Sequence, residues 1–314
     1  MAAGLLLGTA LDAVVPDPRR GHPVALFGSA AAELESRVHA DDRARGVLFT
    51  AACVGTALAV GVGLRRAGVA GVALATWSVL GARSLRAEGR AVHDLLAIGD
   101  LAAAREQVTH LVGRDPSRLD ALEVARAALE SVAENTCDAV VAPLFWGAVA
   151  GAPGLLGYRA VNTLDAMVGH RSARHANFGW ASARLDDAAN WAPARLSAGL
   201  TAAAARVAGA SASGALRVAA RDAGKHPSPN SGWSEAAFAG ALGVRLGGRN
   251  VYDDRVEDRP RLGDGRPVEV DDLRRATRLC AAVTVAAAIG AVVLADRGVF
   301  STAGGEKSPR SGRR

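Results

Sequence analysis

Apolar residues gather along this chain into long uncharged runs: 47–64 (VLFTAACVGTALAVGVGL), 67–82 (AGVAGVALATWSVLGA), 139–157 (AVVAPLFWGAVAGAPGLLG) and 279–295 (LCAAVTVAAAIGAVVLA). A helix needs roughly 20 apolar residues to cross the hydrocarbon layer and about 17 at the least, so the first and last runs predict spans and the second is marginal. The stretch 196–220 is a weaker candidate, since it relies on alanine and carries Arg206 and Arg217. Pro143 and Pro153 oppose a straight helix over 139–157, and that run is expected to dip in and return, or to be buried against other helices.

Elsewhere the apolar spacing is helical. Residues 83–137 read as two amphipathic helices on or above a membrane surface, the second opened by DPSR and ending in ESVAENTCD. No alternation is long enough to predict a sheet. DDRVEDRPRLGDGRP (253–267) reads as a solvent loop, and 301–314 as a disordered tail. The expected fold is therefore all-α: a polytopic helical integral membrane protein, one domain over 1–300, with amphipathic helices and polar loops at the membrane surface. A soluble bundle with buried core helices is the alternative, and the all-round apolar run at 47–64 argues against it.

Composition sharpens this picture. Half of the 314 residues are hydrophobic, and the mean hydropathy is +0.14. The net charge is +6, and the only lysines are Lys225 and Lys307, so basicity reflects arginine usage. With aromatics at 4% and no basic patch interleaved with them, nucleic-acid binding is not expected, whereas loops facing an anionic leaflet are. Cys53, Cys137 and Cys280 lack disulfide or zinc spacing. The first residues lack a basic leader, and Asp12 interrupts their apolar part, which disfavours a cleaved signal peptide.

Three polar clusters carry candidate chemistry. Glu130, Glu134 and Asp138 are spaced four apart and share one helical stripe that runs into apolar sequence. Like charges there repel unless they are solvated or hold a cation, and a hydrated Mg²⁺ shared with a phosphate fits; an ordinary acidic face is the bland alternative. Asn162 with Asp165, and Asp186 with Asn190, form two further one-face pairs, the second flanked by Arg184 and Arg195. Ionisable groups beside a span are functional candidates by default, against a salt-bridge anchor at the interface. Trp180 and Trp191 read as interfacial belt residues. RDAGKHPSPNSG offers Arg221, Lys225 and His226 beside backbone amides freed by glycine and serine, the ingredients of a phosphate cradle without a Walker or dinucleotide motif. His39, His93 and His110 read as helix-surface residues, and His22 as a loop histidine near Asp17.

Taken together, LDAVVPDPRRGHPVALFG, ESVAENTCDAVVAPLFWGAVAGAPGLLGYRAVNTLDAMVGH, FGWASARLDDAANWAPARLSA and RDAGKHPSPNSGWSEAAFAGALGVRLGG resemble the CobD/CbiB family of cobalamin biosynthesis, the adenosylcobinamide-phosphate synthases. The resemblance covers most of residues 5–250, with VVPDP where the family usually has a glycine before Asp-Pro. It implies a bacterial inner-membrane enzyme with its site facing the cytoplasm. Such an enzyme joins adenosylcobyric acid to (R)-1-aminopropan-2-ol or its O-phosphate, with ATP and Mg²⁺ as cofactors. The bilayer and other membrane enzymes of late cobalamin assembly are the expected partners.

On that resemblance Glu130, Glu134, Asp138, Asp186 and Asp187 hold Mg²⁺ and nucleotide. Glu134, Asp165, Asp187 and His226 are the catalytic candidates, with Asp165 or His226 as base. His22, Asn135, Asn162, Asn190, Arg221, Lys225 and Asn230 bind substrate or phosphate. A Mg²⁺-diphosphate membrane transferase and a non-catalytic membrane scaffold are the rival readings.

Overall fold

A computed structural model describes residues 1–18, 20–113, 115–170, 172, 174–252 and 255–297; the tail read as disordered, 301–314, lies outside them. Helix α1 (Ala2–Val14) is followed by α2 (Pro23–Val38), which His22 caps by accepting from the Val24 amide at 3.3 Å. Asp42 caps α3 (Arg43–Arg65) through the Arg45 amide at 2.8 Å. A short turn then leads to α4 (Gly68–Val79), which α1 accompanies in parallel: a Cβ at Gly4 would overlap Val72, and one at Gly8 would overlap Thr76. Missing side chains there bring two backbones together, a packing mode that works without any hydrophobic drive between helices.

After Gly81 the chain continues as α5 (Ala82–Ala97), then breaks at Gly99, whose φ of 81° starts a turn before Asp100 caps α6 (Leu101–Val108). The single helix expected up to Gly113 is thus two. A capping box between Asp120 and Glu123 starts α7 (Ala121–Thr136). This helix is not a surface helix. Its alanines admit neighbours on several sides, and Val124, Ala127, Leu129, Val132 and Ala133 are all fully buried.

Beyond Thr136 the helix widens into a π turn (Cys137–Val141), narrows into α8 (Ala142–Ala150), reverses at Gly151 (φ 67°) and returns as α9 (Ala152–Leu164), which ends in a second π turn (Asp165–Gly169). The reversal expected for this run is present, but its cause is Gly151. Pro143 and Pro153 occupy first turns of α8 and α9, where a missing N–H costs nothing. From Cys137 to Ala150 the descending arm is roughly 21 Å long at 1.5 Å per residue, short of a hydrocarbon layer of about 30 Å.

Helix α10 (Trp180–Ala205) contains Pro193, which removes the amide that would donate to the Ala189 carbonyl; the Trp146 indole of α8 donates to it instead, at 3.0 Å. A turn through Gly209 (φ 69°) separates α10 from α11 (Ala212–Asp222), so 196–220 is not one span. A 3₁₀ turn (Ala223–Lys225) and the loop after it lead to α12 (Ser231–Leu242), whose Gly240 meets the backbone of Gly214.

One departure from the sequence reading is a β-hairpin of β1 (Leu246–Tyr252) and β2 (Arg255–Leu262), antiparallel, with Val251 opposite Val256. It occupies most of the expected solvent loop. The final element, α13 (Asp272–Asp296), joins α3 and the α4–α5 pair as the stretches long and apolar enough to cross a membrane. Both α3 and α13 leave large aliphatic side chains exposed, among them Val60, Val62, Val285 and Ile289. The chain is all-α in class. His93, expected on a helix surface, is buried between Asp94 (2.8 Å) and Asp271 (3.2 Å), where it ties α5 to the start of α13.

Candidate active site

Acids from four elements meet below the loop that precedes α12. Glu134 comes from the last turn of α7, Asp138 from the first π turn, Asp165 from the second, and Asp186 and Asp187 from α10. Because the α8–α9 arm turns back at Gly151, Asp138 and Asp165 return to the same end, close enough for the charge of Asp165 to act on Asp138. A π turn adds one residue without lengthening the hydrogen-bond ladder, and such turns concentrate at functional sites. Here each carries one of the acids.

Burial and the charges of neighbouring acids act together on Asp138, Asp165 and Asp186. Asp138 is pushed well above the carboxylate range by burial, then by the charges of Glu134 and Asp186. Asp186 rises to about 7 through burial and the charge of Asp165. Asp165 is raised as well, again chiefly by burial. The Asp186 Oδ1 atom is buried and has no hydrogen-bond partner.

A buried, unpartnered carboxylate oxygen inside a ring of acids fits a divalent cation. Among the described residues, no three of these acids bring ligand atoms within 4.8 Å of one another. That spread suits Mg²⁺, which keeps several waters and is shared with phosphate oxygens.

Neighbouring side chains hold the acids in place. Asn190 donates to Asp186 at 3.0 Å and accepts from the buried Tyr158 hydroxyl at 2.9 Å, so its amide orientation is fixed. Asn162 lies near enough to Asp186 to favour its charged form and accepts from Arg159 Nη1 at 3.3 Å. Gly169 is bare because a Cβ there would overlap Asp165 Oδ1. Arg159 and Tyr158 were missed in the sequence; the available signal was a lone arginine at the end of an apolar run, three residues before Asn162.

From above, Ser231 donates to Glu134 at 2.8 Å, and Asn230 donates to the Asp187 carbonyl at 2.8 Å. Arg195 stacks over Trp191 (4.4 Å) and Trp233 (5.0 Å) and reaches Asn230 at 3.5 Å. It therefore positions the loop over the acids. His226 is lowered from its usual range by burial. Its Nδ1 accepts the Ser228 amide at 3.0 Å, which leaves the proton of the neutral ring on Nε2, 3.4 Å from Glu235.

Other expected site residues are engaged elsewhere. Glu130 accepts from the Gly247 amide at 2.8 Å and pairs with Arg126 at 3.6 Å, anchoring the β-hairpin. Asn135 donates back to Ser131 of its own helix. Arg221 makes two bonds to the buried Asp222 and one to Asp264, while Lys225 sits 2.6 Å from Asp222. The pattern that read as a phosphate cradle is, in its two strongest cations, a knot around Asp222. His22 lies 3.6 Å from Asp17, whose charge acts on Arg159, so the N-terminal loop faces the arginine rather than the acids directly.

A separate group, Glu35, His39 and His175, has ligand atoms mutually within 4.8 Å. Its carboxylate accepts from both Arg174 (3.0 Å) and His175 (3.0 Å), which pins the turn at 174–179 to α2.

An all-α chain with membrane-length helices, a re-entrant arm too short to cross and a half-buried cluster of acids defines an integral membrane protein with an acid-rich polar site at one end. The chain belongs to the family described as CobD/Cbib protein, whose profile matches residues 5–280, some thirty residues beyond the motifs. Curated relatives named Cobalamin biosynthesis protein CobD include one from Mycobacterium tuberculosis, 52% identical over 301 residues, covering 94% of this chain and 96% of the relative. Another, from Rhodobacter capsulatus, is 45% identical and covers 80% and 83%. A third, from Geobacter metallireducens, is 44% identical and covers 88% and 91%. No solved structure matches.

Proposed function

We propose that this cobalamin-biosynthesis enzyme condenses the free carboxylate of adenosylcobyric acid with the amine of (R)-1-aminopropan-2-ol or its O-phosphate, at the expense of ATP, on the cytoplasmic face of the inner membrane. The observation that carries the reading is the ring of Glu134, Asp138, Asp165, Asp186 and Asp187 around an unpartnered Asp186 oxygen.

A carboxylate and an amine do not condense in water at a useful rate. The carboxylate oxygen attacks the γ-phosphorus of ATP and releases ADP; the amine nitrogen then attacks the acyl carbon, inorganic phosphate leaves, and one amine proton passes to a base. Glu134, Asp138, Asp186 and Asp187 would hold Mg²⁺, which would neutralise phosphate charge during the transfer. Asp165 is the better base of the two candidates. Its carboxyl is raised by burial, which makes it a stronger proton acceptor than an ordinary aspartate. His226 carries its neutral-state proton on Nε2 and is placed to donate a hydrogen bond, not to accept a proton. Asn162, Asn190 and Tyr158 orient Asp186 and count as positioning residues.

A diphosphate transferase needs a second acid pair, but Asn190 stands at that place and is locked by Tyr158. A scaffold gains nothing from half-buried, mutually repelling acids. The experiment is complementation. The gene restores cobinamide formation from cobyric acid in a strain lacking the synthase, and the Glu134→Ala and Asp187→Ala variants insert normally but do not. Restoration by both variants would overturn the assignment.

A further inference from the structure

Away from the acids, Arg90 of α5 and Arg274 and Arg278 of α13 line one cavity of about 340 Å³, together with Asp94 and Thr277. The helices approach closely there, since a Cβ at Gly89 would meet Thr277 at 3.0 Å. All three arginines are exposed, and none of their side chains forms a hydrogen bond or ion pair with a described residue. The one acid in the lining, Asp94, already accepts from His93 at 2.8 Å. Three unmatched positive charges on two helices are arranged for an anion.

What lies next to the cavity selects the anion. The uncharged run of α13 begins at residue 279, immediately after Arg278. Val285, Ile289 and Val293 follow Arg278 by seven, eleven and fifteen residues, a spacing that keeps them on its face of the helix. They are 60%, 58% and 45% exposed. A basic cavity at the polar end and an open aliphatic stripe running from it into membrane-length helix match a molecule with a phosphate at one end and an acyl chain at the other.

We propose that Arg90, Arg274 and Arg278 bind the headgroup phosphate of an anionic glycerophospholipid, with an acyl chain along Val285, Ile289 and Val293. Guanidinium groups suit this role, because their planar donors pair with phosphate oxygens in twos and each basic group near an anionic leaflet adds to retention.

Native mass spectrometry of the full chain in mild detergent, with phosphatidylglycerol and phosphatidylcholine added in competition, tests it. The expected result is a preference for phosphatidylglycerol of at least ~10-fold. It disappears in Arg90→Gln/Arg274→Gln/Arg278→Gln and is weakened but not lost in the corresponding triple lysine variant, which keeps the charge without the planar donors. It also persists in Arg65→Gln/Arg66→Gln/Arg297→Gln, which removes equal charge from the C-terminal ends of α3 and α13. Retained preference in the first variant, or equal loss in the last, overturns the proposal. So does binding of inorganic phosphate or glycerol 3-phosphate as tight as that of the lipid, which would make the cavity a site for free phosphate.

Discussion

The bond from Trp146 to the Ala189 carbonyl makes a quantitative prediction. Pro193 deprives that carbonyl of its helical partner, and the indole, at 3.0 Å, replaces it. Trp146→Phe keeps an aromatic ring in the gap between α8 and α10 but leaves a half-buried carbonyl unpaired, at a cost of about 1–2 kcal/mol on top of lost packing. In a Pro193→Ala background residue 193 regains its amide, and the carbonyl stays paired when the indole is removed. The orphan penalty then drops out, while the packing loss remains in both backgrounds. Thermal or denaturant unfolding of the four proteins in one detergent should therefore give a coupling of about 1 kcal/mol, with Trp146→Phe milder in the Pro193→Ala background. Equal costs in the two backgrounds would mean that the indole does not compensate for the proline, and the account of how α8 is fastened beside Asp186 would fail.

Other expectations follow from the same geometry. Mg²⁺ at about 100 times its dissociation constant should stabilise the wild type by about 2.7 kcal/mol and leave Asp186→Asn nearly unchanged, read as the shift in melting temperature; equal shifts would remove Asp186 from the cation site. Gly169→Ala displaces Asp165 and should lower kcat at least ~10-fold with insertion intact. A fully active variant would show that the Asp165 position is irrelevant. Asp222 is held below the usual carboxylate range, first by Arg221 and then by Lys225 and the Gly263 amide. Its folded pKa is depressed, so its stabilisation is complete above the unfolded value of about 3.9 and is lost as pH falls through the folded one. Asp222→Asn should thus lower the melting temperature at pH 7, and the gap to wild type should shrink at pH 3. Single cysteines at 134 and 186 in intact cells should label from one face of the membrane, since the intervening arm does not cross; labelling from opposite faces would dismantle the single site.

Much of the acid site was legible because helical spacing is a short-range property. Glu134 and Asp138, or Asp186 and Asn190, declare a shared face at four residues apart whatever the rest of the chain does. Arg159 and Tyr158 were hidden because their partners are distant in sequence and their own segment reads as membrane. The cradle over 221–230 was misread for the opposite reason. Arg221 and Lys225 were counted as free cations although Asp222 stood beside them, and Asp264 could be added only by the fold. The β-hairpin escaped because LGGRNVY and RVEDRPRL hold glycine, proline and charge where alternation would signal a strand, and backbone pairing defines it. The split at Gly99 was readable in principle, as a glycine directly before an Asp cap.

The π turns at Cys137–Val141 and Asp165–Gly169 bear on how this protein tolerates change. Each holds one residue more than an α-helical turn would, and an acid rides on that surplus. Removing a single residue from either segment would let the helix close into regular α geometry, leaving the helix beyond nearly in register but drawing the acid out of the widened turn that aims it at the others. A change of length there, even of one alanine, should therefore be more damaging than a substitution of its side chain. Related chains that keep the site are expected to vary in residue type across these turns while conserving their length.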